Sequence, residues 1–300
     1  VKLRITTQNA YGGGIYDVEG KARNGLPLLI ERILDDGRKP HVLLLSDAKG
    51  WEHSGHRTVY EVGHALGLSP MPLTRAESGL HTITYYDTQV MRPVMYNDSQ
   101  SHWVYHGFAV SGFDVGLKQP MAFVPIHLSA YSPVHATLEA EYIATGLYRL
   151  GELGVGAGDC NFPAPHPDNP PPLTDTWRAY NRGSRAVPTD PYQPFDTIEP
   201  NRLVTQAFLR KGLYDVAWEL YEAGARKDAE LMRRTTHDDR IEQAYVTAPL
   251  RPALEEYRVL DRHGQSAFEQ DAPGAASDHH GITLVIDTDR IDDSNLALWR

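Results

Sequence analysis

Ser277-Asp278-His279 stands just ahead of the apolar run Ile282–Ile286. Three other places set polar, reactive side chains against apolar runs in the same way. Gly158-Asp159-Cys160-Asn161 follows Leu153–Ala157, Pro125-Ile126-His127-Leu128 follows Met121–Val124, and Gln8-Asn9 ends the strand-like opening Val1–Thr7. Strand ends are where rigid scaffolds place reactive groups. Asn, Asp, His, Asp-x-Asn and Asp-His, in that order, supply the parts for metal-assisted attack on a phosphate ester. That reaction needs a hard cation to neutralise the phosphate and a base to activate water. It also needs donors for the non-bridging oxygens and a group to stabilise the leaving oxygen.

The elements that carry these groups follow from periodicity. Val1–Gln8 reads as a strand, and Asn24–Asp36 as a helix with Leu26, Leu29, Ile30, Ile33 and Leu34 at helical spacing. His41–Leu45 is a short continuous apolar run, as in a strand buried on both faces. Thr58–Leu66 reads as a helix. Leu80–Tyr86, Met91–Tyr96, His102–Ser111 and Pro120–Ile126 read as strands, rich in Tyr, Val, Thr and Phe. Pro133–Leu150 reads as a helix and Leu153–Gly158 as a strand. Pro163–Pro200 is rich in Pro, Asp and Asn, the composition of an ordered loop or excursion. Asn201–Arg210 and Leu213–Arg233 look helical, and Ile241–Val246, Tyr257–Leu260 and Ile282–Ile286 close the chain as strands. Alternation followed by clustered strands fits a two-sheet sandwich flanked by helices better than a doubly wound parallel sheet.

The order of the motifs resembles the endonuclease/exonuclease/phosphatase superfamily, the fold of deoxyribonuclease I, from Leu3 to Ile286. The resemblance is weakest from about 162 to 236. It implies a four-layer α/β sandwich of two packed mixed β-sheets flanked by helices. It also implies one catalytic domain over residues 1–300, with a Pro-rich loop and helical excursion at about 162–236. By the same resemblance Asn9 helps hold metal or phosphate, His127 stabilises charge on phosphate oxygens, Asp159 orients water or the leaving group, and Asn161 holds phosphate. Asp278 approaches the metal and His279 is the general base. Asp47 falls where the family usually has a metal-binding glutamate, so the metal set is Asp47, Asp278 and Asn9, with Glu52 as a helper. Glu242 falls where the family has an aspartate that orients the histidine base, with Asp239 as the other choice. Mg²⁺ is the expected cofactor, and the shorter Asp47 makes Mn²⁺ an alternative.

The bulk properties narrow the function. A hydrophobic fraction of 41% supplies a sizeable core. No run of eighteen apolar residues exists, so no membrane span is expected. Cys160 is the only cysteine, which excludes an intrachain disulfide and fits a cytoplasmic protein. It reads as a small buried residue, not a nucleophile. A net charge of −10 shows no broad basic face. Arg23, Arg32, Arg38 and Lys39 are the candidates for a local basic groove and otherwise read as solvated surface. Tyr11-Gly-Gly-Gly14 reads as a loop beside the site, His81 as a residue at the pocket mouth, and Arg240 as a phosphate binder or part of a turn. The expected activity is metal-dependent hydrolysis of a phosphate ester by histidine-activated water. The substrate is a small molecule or nucleic acid, and no obligate protein partner is evident. A nuclease and an inactive binding protein on the same scaffold are the alternatives.

Overall fold

The computed structural model of the chain describes residues 1–16, 20–34, 37–167, 174–177, 179–190, 192, 198–260, 277, 279–294 and 296. In chain order the strands begin with β1 (Lys2–Asn9), β2 (Val42–Ser46), β3 (Ser69–Pro70), β4 (Ile83–Tyr86), β5 (Arg92–Asn97), β6 (Val110–Asp114) and β7 (Met121–His127). They continue with β8 (Gly154–Asp159), β9 (Ala186–Pro188), β10 (Ile198–Pro200), β11 (Leu213–Asp215), β12 (Glu242–Thr247), β13 (Leu254–Leu260) and β14 (Gly281–Asp287). The α-helices are α1 (Leu26–Leu34), α2 (Arg57–Leu66), α3 (Pro133–Leu147), α4 (Ala179–Arg185), α5 (Leu203–Arg210) and α6 (Val216–Ala223).

Two six-stranded sheets result, in the orders β13-β14-β1-β2-β4-β3 and β11-β12-β8-β7-β6-β5. Each holds one parallel pair, β1–β2 in the first and β7–β8 in the second, so both are mixed. Successive residues of a strand point to opposite faces, and the core divides accordingly. Leu3 and Ile5 of β1, Val42 and Leu44 of β2, Phe123 of β7 and Val155 of β8 meet between the sheets. Their neighbours Leu43 and Leu45 face α1 and α2 instead. Ala122, Val124 and Ile126 of β7 face α3 and α5. The fold is therefore a four-layer α/β sandwich, helices outside and two sheets within. Each fully buried Leu, Ile or Phe adds roughly 1.5–3 kcal/mol of apolar transfer. Among the described residues no helix is long and apolar enough to cross a membrane.

Two segments differ from their sequence patterns. His102–Ser111 is not a strand until Val110; Ser101–Trp103 is a short 3-10 turn and an irregular loop follows. Side chains capture the backbone donors that a ladder would use. Ser101 Oγ accepts from Phe108 N, and Glu139 accepts from Tyr105 N. Gly107, at φ +68°, turns the chain. His106 in that loop is buried. Leu213–Arg233 is not wholly helical either. Its first three residues pair antiparallel with Tyr245–Thr247 as β11, and the helix starts at Val216. A short apolar run suits either period, and the free edge of β12 decides it.

Candidate active site

The site lies at one end of both sheets, where the inward-facing rows of the core change from apolar to polar. On β7, Met121 and Phe123 face the opposite sheet, and the same alternation carries His127 inward. On β8 it carries Asp159, in step with Val155 and Ala157, and on β12 it carries Glu242, in step with Ala244 and Val246. His127 pairs with Asp159 across β7–β8, and Asp159 with Glu242 across β8–β12. The three side chains therefore form one row. From the other sheet, Asn9 continues the row of Leu3 and Ile5, and His279 precedes β14.

Asp159 is the centre of the group. Its Oδ2 accepts a hydrogen bond from Asn9 Nδ2 at 3.1 Å, and lies 3.7 Å from His127 Nε2 and 3.8 Å from His279 Nδ1. Its Oδ1 accepts from Asn161 N at 2.8 Å. Gly158 makes this position possible. Its φ is +152°, and a Cβ there would lie 2.0 Å from the carbonyl oxygen of Ile126. Only glycine lets β8 run this close to β7 just before the acid.

His279 Nδ1 lies 2.7 Å from Glu242 Oε1, and Glu242 is fully buried. A carboxylate only accepts, so Nδ1 carries the proton and Nε2 is left as the basic nitrogen. The loop that presents His279 is pinned through its backbone. The carbonyl of His279 accepts from Arg32 Nη1 at 2.9 Å and from Gln8 Nε2 at 3.2 Å, and its N–H donates to Ser277 Oγ at 3.1 Å. Arg32 is thus a support of the site, although its helical position suggests plain solvated surface.

His127 is buried, and its pKa is pushed well below the ordinary value by burial, with smaller pushes from His106 and His279. His106 stacks on it, with centroids 3.8 Å apart at 11°, and is itself pushed down to about 4 by burial. Both rings stay neutral where the histidines of an unfolded chain take a proton. The unfolded state therefore binds more protons as pH falls below about 6.5, and stability declines until pH reaches the folded value. For His106 the window runs from 6.5 to about 4, worth on the order of 3 kcal/mol. Asp239, raised to about 6 by burial, works in the opposite direction over that range. The quantity to read is therefore the difference between wild type and His106→Phe in urea titrations at pH 7 and 4.5. The variant should lose less stability on acidification; an equal loss would remove His106 from the account.

Asn161 takes a left-handed φ of 56°, which asparagine tolerates better than most residues. Its Nδ2 donates to Leu128 O at 2.8 Å, and its Oδ1 accepts from Arg185 Nη2 at 3.1 Å. Arg185, at the end of α4, is buried. The excursion therefore delivers a buried guanidinium to Asn161. No local signal in the Pro-rich stretch marks that residue; only its contact with Asn161 does.

Asp47 follows β2, and alternation alone would send it outward with Leu43 and Leu45. Its φ of 56° redirects it. Its Oδ2 accepts from Gly12 N at 3.1 Å, and Gly13 N donates to its carbonyl at 2.8 Å. The glycine run Gly12–Gly14 is thus a tight turn that docks on Asp47. Glu52, the expected helper of Asp47, faces two histidines. Its carboxylate lies 3.1 Å from His81 Nε2 and 3.4 Å from His53 Nε2. His81 is buried. Asp278 lies outside the described residues. Cys160 is fully buried, and burial raises its pKa well above the ordinary thiol value, so it is no nucleophile.

Two packed mixed six-stranded sheets with this polar cluster at one shared end decide the fold. The chain has the endonuclease/exonuclease/phosphatase fold. An endonuclease/exonuclease/phosphatase family protein from Bacteroides thetaiotaomicron superposes with a TM-score of 0.62 at 14% identity, covering 96% of this chain and 98% of that one. An AP endonuclease from Archaeoglobus fulgidus gives 0.60 at 14% identity, with 95% and 100% covered. The mannosyl-6-phosphatase Bt3783 of Bacteroides thetaiotaomicron gives 0.59 at 15% identity, with 95% and 100% covered. No family model matches the chain, and no curated protein matches its sequence.

Asp159, Glu242 and His279 each offer one donor atom within 4.8 Å of the others, a spacing that also suits a metal ion. The 2.7 Å contact between His279 and Glu242 fits a base with its orienting acid better than two ligands of one ion. Asp159 is 2% exposed, and its ion-pair partners among the described residues are imidazoles alone. A buried carboxylate without a full cation beside it is the setting a divalent ion meets, and the oxygen-rich donor set suits Mg²⁺ or Mn²⁺.

Proposed function

We propose that the chain is a divalent-metal-dependent phosphoesterase in which His279 is the general base. Glu242 holds the imidazole in the tautomer whose Nε2 takes a proton from water. Asp159 orients the attacking water or the leaving oxygen. Asn161 and Arg185 hold non-bridging oxygens on one side, and His127, neutral, donates a single N–H on the other. Asp47, Asn9 and Asp278 are the residues proposed to hold the ion; of these, Asn9 donates to Asp159. The ion, when bound, neutralises phosphate charge and lowers the pKa of water. The carrying observation is the 2.7 Å pair of His279 and buried Glu242 beside Asp159.

The fold hosts a named phosphatase and a named endonuclease, so fold alone does not choose the ester. The net charge of −10 favours a small ester over a long polyanion; a nuclease is the competing reading. The test is hydrolysis of a phosphodiester, a phosphomonoester and plasmid DNA, each with Mg²⁺, Mn²⁺ or chelator. Turnover that needs the metal supports the proposal, and the preferred ester gives the substrate class. A folded protein that binds no metal and turns over none of the three would be a binding protein on this scaffold.

A further inference from the structure

An exposed aromatic pair stands at the rim of the site. Tyr131 is 72% exposed and Tyr105 38%, with ring centroids 5.7 Å apart at 86°. The series continues inward. Tyr105 meets His106 edge-on at 4.8 Å, and His106 stacks on His127 at 3.8 Å. Four rings in contact thus lead from solvent to the imidazole beside Asp159.

A buried carboxyl group anchors the backbone of the two loops that carry the outer rings. Glu139 on α3 is fully buried. One carboxylate oxygen accepts from Tyr105 N and the other from Ser129 N, both at 2.7 Å. Ser129 Oγ accepts in turn from Tyr131 N at 3.4 Å. Burying a carboxylate is costly unless its hydrogen bonds are made. Here both oxygens hold the two loops that carry the tyrosines, and neither ring belongs to the hydrophobic core. A surface held this firmly is pre-organised for binding. Tyrosine offers a wide flat face at low conformational entropy, with a polar tip that tolerates water.

We propose that Tyr105 and Tyr131 form a stacking subsite for a planar aromatic group, a nucleobase or an aryl ring, carried by the phosphate ester. The subsite rests on the phosphoesterase reading above, because the phosphate side is what places the ring. The acidic chain disfavours a long polyanion, so the occupant is of mononucleotide size.

The test measures equilibrium binding of AMP, ribose 5-phosphate and phenyl phosphate with Mg²⁺, in a His279→Ala background that prevents turnover. AMP should bind about tenfold more tightly than ribose 5-phosphate, the range of base–aromatic stacking. That preference should collapse in Tyr131→Ala and Tyr105→Ala and survive in Tyr131→Phe. Tyr131 is mostly solvent-exposed, so its loss leaves the fold intact. Phenyl phosphate binding as tightly as AMP would assign the subsite to simple aryl rings, and AMP alone would assign it to nucleobases. Equal binding of AMP and ribose 5-phosphate, a preference untouched by both alanines, or no binding of any probe overturns the subsite. If the preference holds while wild-type protein hydrolyses no ester, the phosphoesterase reading fails and the subsite stands.

Discussion

His279→Ala is expected to lower kcat on the preferred phosphate ester by about two to four orders of magnitude, with KM changed little. The imidazole bridges the two sheets through its 2.7 Å contact with buried Glu242, while its backbone anchors to Arg32 and Gln8 remain in the variant. Removing that buried contact should lower the unfolding midpoint by a few degrees, so kcat is read at a temperature where the variant is fully folded. Glu242→Gln separates positioning from proton transfer. An amide at 242 no longer balances the imidazolium, and it can present its NH₂ to Nδ1, which would favour the wrong tautomer. A loss of at least about tenfold in kcat follows from that argument. Glu242→Asp shortens the side chain by one methylene and should fall between the two. Single-turnover kinetics with saturating metal read all three. Wild-type rates in His279→Ala would end the assignment of His279 as base.

Much of this site is legible in the sequence because it obeys the same alternation as the core. Asn9, Asp159 and Glu242 continue inward rows that begin with Leu3, Val155 and Ala244, and the amino-acid sequence itself displays those rows as apolar alternation. The choice between Glu242 and Asp239 is not legible there, because three residues separate them and strand ends are uncertain by that much. The structure sets the two residues apart by register. Glu242 stands opposite Asp159, while Asp239 lies before the strand and accepts from Arg240 N. Asp47 is marked by its position after β2, yet its direction depends on a left-handed φ that no pattern encodes.

What the sequence hides are contacts between residues far apart in the chain. Arg185 to Asn161, Arg32 to His279 and Glu139 to Tyr105 are all of this kind. Periodicity reports which face of an element is buried, and it is silent on which distant loop a buried charge will reach. Glu139 shows this most clearly. In the fold it is fully buried and holds two loops, and nothing in the helical pattern of α3 singles it out. The excursion is similar: composition marks Pro163–Pro200 as irregular, but not as the source of Arg185.

Arg240 gives the largest expected effect on stability. The sequence leaves it between a phosphate ligand and a turn residue. In the fold it pairs with Asp215 through both guanidinium nitrogens, one at 3.2 Å, with side chains 2% and 0% exposed. Burial works against the guanidinium charge, and Asp215 more than offsets it, so the pKa rises above the ordinary arginine value. Removing either partner strands the other charge in the interior, which costs about 3–5 kcal/mol. Arg240→Ala and Asp215→Ala should each lower Tm by roughly 10 °C. An Asp215→Leu, Arg240→Met double variant should recover most of that, because an apolar pair of similar volume leaves no orphan charge. The pair also bears on function. Asp215 sits on β11 opposite Tyr245 of β12, and Arg240 lies two residues ahead of Glu242. The pair thus ties β11 to the start of the strand that presents the acid. If it positions Glu242, the double variant should be near wild type in Tm but reduced in kcat. Thermal unfolding and turnover measured on the same preparations distinguish a structural pair from one that also sets the geometry of His279.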